Sequence, residues 1–212
     1  TLSFALRLVF FVILPAMVGL IVLGYPILHV LFERGAFNAL STEKTAQALY
    51  YYSLGLVAFA GVRIVIPVFY SLQDTRTPVK IALISLGANA GLGVLLMFPL
   101  KHGGLALATS VAAATNFALL VILLRSRLGP MGAPRIFRSF LKNLAASVFM
   151  GLVIYAISHG GPWNTPGLTL EKIVLLGGSV LIGIFIYAGA CYLLGSEEIH
   201  AAVNLLQRKL KW

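Results

Sequence analysis

The sequence predicts an all-α, polytopic membrane protein with six transmembrane helices. Hydrophobic residues make up 59% of the 212-residue chain and charged residues only 10%, whereas a typical soluble domain has roughly 25% charged residues. The apolar residues also form blocks of about 20 or more, the length that a helix needs to cross a hydrocarbon core of roughly 30 Å. Because backbone groups in lipid must hydrogen-bond internally, each block is expected to be a helix rather than a strand.

Short polar stretches separate the six segments. The segments fall at about 4–31, 45–72, 79–98, 103–124, 139–158 and 172–195. The first contains Pro15 and Pro26, and we expect a bend or a broken turn near Pro26 because proline removes a backbone donor. The third segment is rich in glycine and the fourth in other small residues, so their backbones can approach closely and should form a tight hairpin.

The basic residues predict the orientation in the membrane. The side that carries the start of the first helix holds eleven of the sixteen Lys and Arg residues: Arg7, Arg76, Lys80, Arg125, Arg127, Arg135, Arg138, Lys142, Arg208, Lys209 and Lys211. The opposite side holds Arg34, Lys44, Lys101 and Lys172. Cytoplasmic loops are enriched in Lys and Arg, so both ends of the chain are expected to be cytoplasmic. Topology thus explains the formal charge of +10, and no nucleic-acid partner is expected.

The sequence carries no pattern typical of an enzyme. No pair of carboxylates occupies a segment, the four histidines lie scattered near the segment ends, and the single cysteine, Cys191, lies in an apolar run. We therefore expect neither a metal site nor a disulfide framework. There is also no glycine-rich phosphate loop for nucleotide hydrolysis. Any transport would depend on an ion gradient or on the membrane potential, with no cofactor.

Arg63 is the exception to the apolar character of the second segment. An arginine well inside a span costs about 2.5–3.5 kcal/mol on insertion scales, so it should face protein or water rather than lipid. It lies about nine residues from the next loop, roughly 14 Å along a helix, which is too deep for easy snorkelling. Two interpretations remain open: a cation in a water-filled cavity that attracts an anionic substrate, or an arginine that pairs with another helix and stabilises the fold.

A polar loop between the second and third segments carries the most recognisable residues, with Asp74, Thr75, Arg76, Thr77 and Pro78 at its centre. Asp74 and Thr77 can cap the following helix, and Pro78 suits its first turn. The run over 69–80, with its aromatic pair and Gln-Asp-Thr-Arg-Thr-Pro-Val-Lys, resembles the cytoplasmic loop of the MurJ (MviN) lipid II flippases. These proteins belong to the multidrug/oligosaccharidyl-lipid/polysaccharide exporter superfamily. Residues 31–37 and 99–105 support the resemblance, which covers roughly residues 4–125 well and the rest only by helix count.

The resemblance implies a plan of fourteen helices, in which the six spans are the ninth to fourteenth. Residues 1–125 then form most of the second transporter lobe, residues 126–195 form two helices bordering a lipid-tail groove, and residues 196–212 form an amphipathic cytoplasmic tail. Such proteins move lipid II, the undecaprenyl-pyrophosphate-linked peptidoglycan precursor, across the bacterial cytoplasmic (inner) membrane by alternating access. The implied partners are lipid II, membrane lipids and the preceding helices of the same protein, since the chain begins at Thr1 without a methionine.

Hairpin geometry points to a polar pair between the third and fourth segments. Around a turn near Pro99, residues whose numbers sum to about 198 lie at similar depth, as Asn89 and Thr109 do. Their oxygens and the Leu105 carbonyl are ligands that suit a hard monovalent cation. The resemblance also implies that a sodium ion can lie here, since some flippases of this family place one between the corresponding helices, aided by carboxylates. Gly93 stands one turn after Asn89 and offers no side chain, so we expect a weaker site or none, with a direct Asn89–Thr109 hydrogen bond as the alternative.

Two other functions remain open at the level of sequence. Another exporter of the same superfamily, such as an O-antigen flippase or a drug/cation antiporter, would have the same helix pattern, although the loop motif argues against it. A non-transporting membrane scaffold is the second alternative. An Arg63 that packs against a structural partner would favour the scaffold, whereas a water-accessible Arg63 would disfavour it.

Overall fold

The structure, a computed structural model, describes residues 2–129, 132–161, 163 and 170–199. Within these ranges the chain forms seven helices and no strand: α1 (Leu2–Phe32), α2 (Ala39–Leu54), α3 (Leu56–Ser71), α4 (Arg76–Leu100), α5 (His102–Leu128), α6 (Ala133–His159) and α7 (Leu170–Leu193). Five are long and apolar enough to cross a membrane, and α2 with α3 makes a sixth, bent span. The predicted all-α membrane fold is confirmed. Most of the expected tail, residues 196–212, lies outside the described residues.

The second span is bent at Gly55. The prediction of one helix over 45–72 is wrong, because α2 and α3 meet there at an angle of 42°. The Ser110 hydroxyl of α5 donates to the Tyr51 carbonyl at 2.7 Å, and the Gly55 N–H bonds to Tyr52 instead. A side chain that intrudes on the helical hydrogen-bond ladder in this way is a recognised cause of kinks. A Cβ on Gly55 would lie 2.6 Å from the Ser110 hydroxyl oxygen, so the contact requires glycine.

Helix α1 continues through both of its prolines. The expected broken turn near Pro26 is wrong, since the helix extends to Phe32 without interruption, and the alternative of a bend there stays a prediction. Neighbouring helices can hold a membrane helix together across a missing hydrogen bond. Here α1 packs against α2, α3, α6 and α7, and Pro26 itself is buried. Tertiary packing therefore overrides the local tendency of proline to end a helix.

Two apolar clusters share α1. One joins α1 to α3, α4 and α5 through Leu6, Phe10, Leu14, Val65, Phe69, Ile81, Leu120 and Leu124. The other joins α1 to α6 and α7 through Leu23, Ala146, Met150, Ile154, Tyr187 and Cys191. α1 therefore connects the four-span part of the chain to the last two spans. The division at residue 125 stays a prediction.

The predicted tight hairpin of α4 and α5 is present. Lys101 alone separates the two helices, and a Cβ on Gly104 would lie 2.0 Å from the Leu96 carbonyl oxygen. The close approach depends on Gly104 rather than on Gly87 and Gly91, where no neighbouring atom of the described residues lies within 4 Å of the position that an added Cβ would occupy. The backbones of the two helices meet where no side chain fits between them.

Candidate functional site

Arg63 lies midway along α3, on its exposed face. The opposite face of α3 is buried through Ala58, Gly61, Val65 and Phe69. Arg63 is exposed, as is Pro67 one turn further along. Among the described residues, none forms a hydrogen bond or an ion pair with Arg63. The described part of the chain therefore does not supply the partner that the helix-pairing interpretation requires.

Asn89, Leu105 and Thr109 come together across the α4–α5 hairpin. The Thr109 hydroxyl donates to the Leu105 carbonyl at 2.9 Å and lies 3.4 Å from the Asn89 Oδ1 atom. Gly93 lies opposite Leu105, since a Cβ there would be 3.4 Å from Leu105 Cδ1. Three neutral oxygens thus lie close together without a carboxylate. The direct hydrogen bond between Asn89 and Thr109 is long, and the cation site stays a prediction.

The loop motif folds into a turn centred on Asp74. The Asp74 carboxylate accepts hydrogen bonds from the backbone N–H groups of Arg76 and Thr77, at 3.1 and 3.0 Å, and from the Thr77 hydroxyl at 2.5 Å. Thr75 makes no side-chain capping bond, so Asp74 alone satisfies these first donors of α4. Pro78 occupies the first turn, where its missing N–H needs no partner. The carboxylate therefore fixes the start of α4.

Arg127, at the end of α5, completes the turn. Its guanidinium forms an ion pair with Asp74 and donates to the Thr77 hydroxyl oxygen at 3.1 Å. It also lies 5.8 Å from the ring centroid of Phe69, a fully buried residue of α3. One side chain therefore ties together the ends of three helices. Sequence reasoning missed this role. Arg127 lies 50 residues from Thr77, and the sequence alone identifies it only as one of the basic residues that indicate orientation.

This turn makes stability depend on pH. The Thr77 hydroxyl, followed by the Thr77 N–H and Arg127, lowers the pKa of Asp74 from 3.8 to about 2. Because the folded value lies below the unfolded one, the stabilisation is present above about pH 4 and is lost as the pH falls towards about 2. We expect Asp74→Asn to lower the thermal unfolding midpoint at neutral pH, with a difference from the wild type that shrinks below about pH 4. Unfolding in detergent across this range measures it, and a difference independent of pH would contradict the assignment.

Apolar cavities border α6 and α7. One of about 500 Å³ lies among α1, α6 and α7 and is lined by residues that include Gly19, Ile27, Ile154 and Val180. A second of about 510 Å³ lies between α6 and α7. Gly183 permits close packing of these helices, since a Cβ there would meet Ile154 at 2.5 Å, whereas Gly177 and Gly178 have no such neighbour. The lipid that would occupy these cavities stays a prediction.

His29 lies near the end of a span, as the sequence indicates, but it is buried inside the protein. It is 4% exposed, in the last turn of α1, where it contacts Glu33 and Lys172. Lys172, which the sequence places on the outer side at the start of the last segment, is the third residue of α7 and is fully buried. The two residues are 143 positions apart, so no local pattern could reveal the contact.

Comparison with known proteins gives one consistent result. The sequence profile of the family described as "Lipid II flippase MurJ" matches residues 1–175. A probable lipid II flippase MurJ of Rickettsia prowazekii is 44% identical over 116 residues, which are 55% of this chain and 23% of that protein. The corresponding protein of Vibrio cholerae is 41% identical over 120 residues, 57% of this chain and 23% of its own.

A solved structure of a lipid II flippase MurJ in an inward closed conformation also matches. Its TM-score is 0.76 at 29% identity, and the match covers 91% of this chain and 38% of the solved one. The chain thus spans about 23% of the length of the curated relatives it matches. Since the family profile covers most of its residues, the chain belongs to the MurJ family of lipid II flippases.

Proposed function

We propose that this chain forms the last six spans of a lipid II flippase in the bacterial cytoplasmic membrane and acts together with preceding helices. The family match over residues 1–175 carries the proposal. The match covers 38% of a solved flippase, about the share that six of fourteen spans would take, and the numbering as the ninth to fourteenth follows from the positions of the resembling motifs. Both ends then lie in the cytoplasm, in agreement with the distribution of Lys and Arg.

Arg63 is the residue that we assign to the substrate cavity. It lies halfway along a span, on a face that the described residues leave uncovered, and exposure to lipid would be costly. In a two-lobe transporter, the surface that meets these conditions borders the water-filled space between the lobes. A guanidinium can bind a pyrophosphate through paired, charge-assisted hydrogen bonds. Arg63 would attract the head of lipid II there while access alternates between the two sides.

The polyprenyl tail needs a separate, apolar path. Moving it into a wet cavity would expose apolar surface to water and lose hydrophobic stabilisation. The cavity of about 500 Å³ among α1, α6 and α7 is lined almost wholly by apolar side chains, which supports its assignment to the tail. The last two spans would then hold the tail while the head crosses beside α3.

Vesicles containing the intact protein and fluorescent lipid II test the proposed activity. An impermeant quencher added outside reports which leaflet holds the labelled head group. We expect the protein to transfer lipid II between leaflets and to leave a polyprenyl-linked O-antigen unit largely in place. Preference for the O-antigen unit would favour the other exporters of the superfamily, and transfer of neither lipid would favour the scaffold.

We also propose that a sodium gradient contributes to transport through Asn89, Leu105 and Thr109. The convergence of their three oxygens supports a weak cation site. Thr109→Val keeps the shape of the side chain but removes one oxygen, so any acceleration of flipping by a sodium gradient should disappear. The effect of an imposed membrane potential, measured in the same vesicles, should persist. If the wild type flips lipid II at the same rate with and without a sodium gradient, the Asn89–Thr109 contact has a purely structural role.

A further inference from the structure

A basic pocket lies where the start of α1, the start of α6 and the end of α7 meet. It has a volume of about 280 Å³, several times the roughly 30 Å³ that one water molecule takes in the liquid, so a phosphate group fits. Four cations and two carboxylates line it, which leaves two positive charges in excess: Arg7, Arg135, Arg138, Lys142, Glu197 and Glu198. The orientation proposed above places this space, called the basic pocket below, at the cytoplasmic surface of the membrane.

The segment that follows α7 forms a fixed wall of the basic pocket. The Glu198 side chain is 2% exposed, and its carboxylate accepts hydrogen bonds from the Ser139 hydroxyl at 2.9 Å and from the Ser196 hydroxyl at 2.6 Å. The Arg7 Nη1 atom of α1 donates to the Glu197 carboxylate at 2.7 Å. Bonds within the protein therefore hold this wall against α1 and α6.

The remaining donors of the basic pocket lack acceptors. Among the described residues, neither Arg135 nor Arg138 forms a hydrogen bond or an ion pair. The Arg7 Nε atom is buried and, although it lies 3.3 Å from Glu198 Oε1, makes no hydrogen bond within the described part of the chain. A buried donor without an acceptor is costly, and the oxygens of an anion would supply acceptors. Residues 200–212 contain three Lys and Arg residues and no Asp or Glu, so they carry no side-chain anion for the pocket.

An apolar crevice continues from the basic pocket along the same face of α6. The α6 residues at positions 135, 138, 139 and 142 line the pocket, and those at positions 145, 146 and 149 line the crevice of about 510 Å³ between α6 and α7. Positions that repeat every three or four residues lie on one side of a helix. On the opposite wall, the lining of the crevice ends at Leu194 and that of the pocket begins at Gly195. The two spaces therefore adjoin.

We propose that the basic pocket and this crevice together bind an anionic phospholipid with a single phosphodiester, such as phosphatidylglycerol, from the cytoplasmic leaflet. The phosphate accepts hydrogen bonds from Arg7, Arg135 and Arg138, and an acyl chain lies between α6 and α7. Basic pockets between membrane helices on the cytoplasmic side bind anionic head groups in this way. The site is separate from the cavity of about 500 Å³ assigned to the polyprenyl tail, because the two share no lining residue.

Native mass spectrometry of the intact protein, released from an uncharged detergent, tests the proposal with added phosphatidylglycerol. We expect tighter binding than for phosphatidylcholine of the same chains, whose head group carries no net charge. Replacing both Arg135 and Arg138 with Gln should weaken phosphatidylglycerol binding by at least about tenfold, since one basic residue near a lipid surface contributes about fivefold. Equal affinity for the two lipids, or an unchanged affinity in this double variant, would overturn the proposal.

Replacing both Lys80 and Arg125 with Gln gives the matched control. Both residues are exposed, lie at the same end of the bundle and do not line the basic pocket. The control removes the same charge as the pocket variant, so any general attraction between a basic surface and an anionic lipid falls equally in both. We expect its affinity for phosphatidylglycerol to match that of the wild type. An equal loss in the two double variants would show a diffuse surface effect and no built site.

Gly189→Leu tests the crevice and separates a lipid from a free phosphate. Gly189 lines the crevice, and no neighbouring atom of the described residues lies within 4 Å of the position of an added Cβ, so a leucine would fill the space without a clash there. We expect weaker phosphatidylglycerol binding, whereas Gly178→Leu, at another open position of α7 outside the crevice, should bind as the wild type does.

Glycerol phosphate, which has no acyl chains, should bind far more weakly than phosphatidylglycerol. If it binds as tightly, or if Gly189→Leu leaves phosphatidylglycerol binding unchanged, the pocket is a site for free phosphate and the proposed lipid site is wrong. These measurements do not depend on transport, so the proposal can fail or hold whether or not the protein flips lipid II.

Discussion

Arg63→Ala should reduce lipid II flipping by the intact protein by about tenfold to a hundredfold, because a hydrogen bond to a charged group contributes about 1.5–3 kcal/mol. The yield of folded protein should change little. Among the described residues Arg63 has no bonding partner, so its removal leaves no buried group of this chain unsatisfied. The initial rate of flipping per folded protein, measured in vesicles, is the quantity to compare.

Two further variants separate the cavity role from a structural one. Arg63→Lys keeps the charge but not the paired geometry, so its rate should lie between those of the wild type and the alanine variant. Lys44→Ala removes an exposed positive charge of α2 and should leave the rate unchanged. A large loss of folded Arg63→Ala protein with normal activity per folded molecule would instead support the helix-pairing interpretation.

Gly104→Ala should strongly destabilise the protein. The added methyl group would lie 2.0 Å from the Leu96 carbonyl oxygen, and a backbone atom of the facing helix cannot rotate away as a side chain can. Forcing extra atoms into a packed interface typically costs about 1–3 kcal/mol of folding stability. Because the clash is with a backbone atom, we expect the loss for Gly104→Ala to lie at the upper end of this range or above it. Folded yield and the thermal unfolding midpoint in detergent should both fall.

Gly91→Ala is the matched control for this hairpin. Gly91 lies in α4, and among the described residues no neighbouring atom comes within 4 Å of the position that its added methyl group would occupy. Replacing a helical glycine with alanine without a clash should leave stability equal or raise it by up to about 1 kcal/mol. Similar unfolding midpoints for the two variants would show that the helices do not approach as closely as the structure indicates.

Composition and apolar segment length were sufficient to predict the class of fold and the number of spans. Hairpin geometry also predicted that Asn89 and Thr109 lie at the same depth. The prediction holds because the turn between α4 and α5 is so short that it fixes the register of the two helices. The bend at Gly55 was beyond sequence reasoning, since it depends on Ser110 in another helix. At Pro26 the error was the reverse: the sequence suggested a broken turn, but packing keeps α1 helical through this residue.

The contacts that organise the candidate sites were harder to foresee. Asp74 could be predicted as a cap from its position before Thr77 and Pro78, which is a local pattern. Its partner Arg127 comes from the far end of α5, and the His29–Lys172 contact joins the first and last helices of the described chain. Such pairs depend on how helices pack, and hydrophobic periodicity does not specify which polar residues then meet.

A segment exchange tests the assignment of this chain most directly. Residues 1–175 would replace the matching part of an established lipid II flippase, and the chimera would be produced in bacteria depleted of their own flippase. The chimera is predicted to sustain growth and to expose lipid II on the outer face of the membrane, whereas the same chimera with Arg63→Ala should allow lysis. A chimera that inserts in the membrane at the normal level but neither exposes lipid II nor prevents lysis would contradict the proposed function.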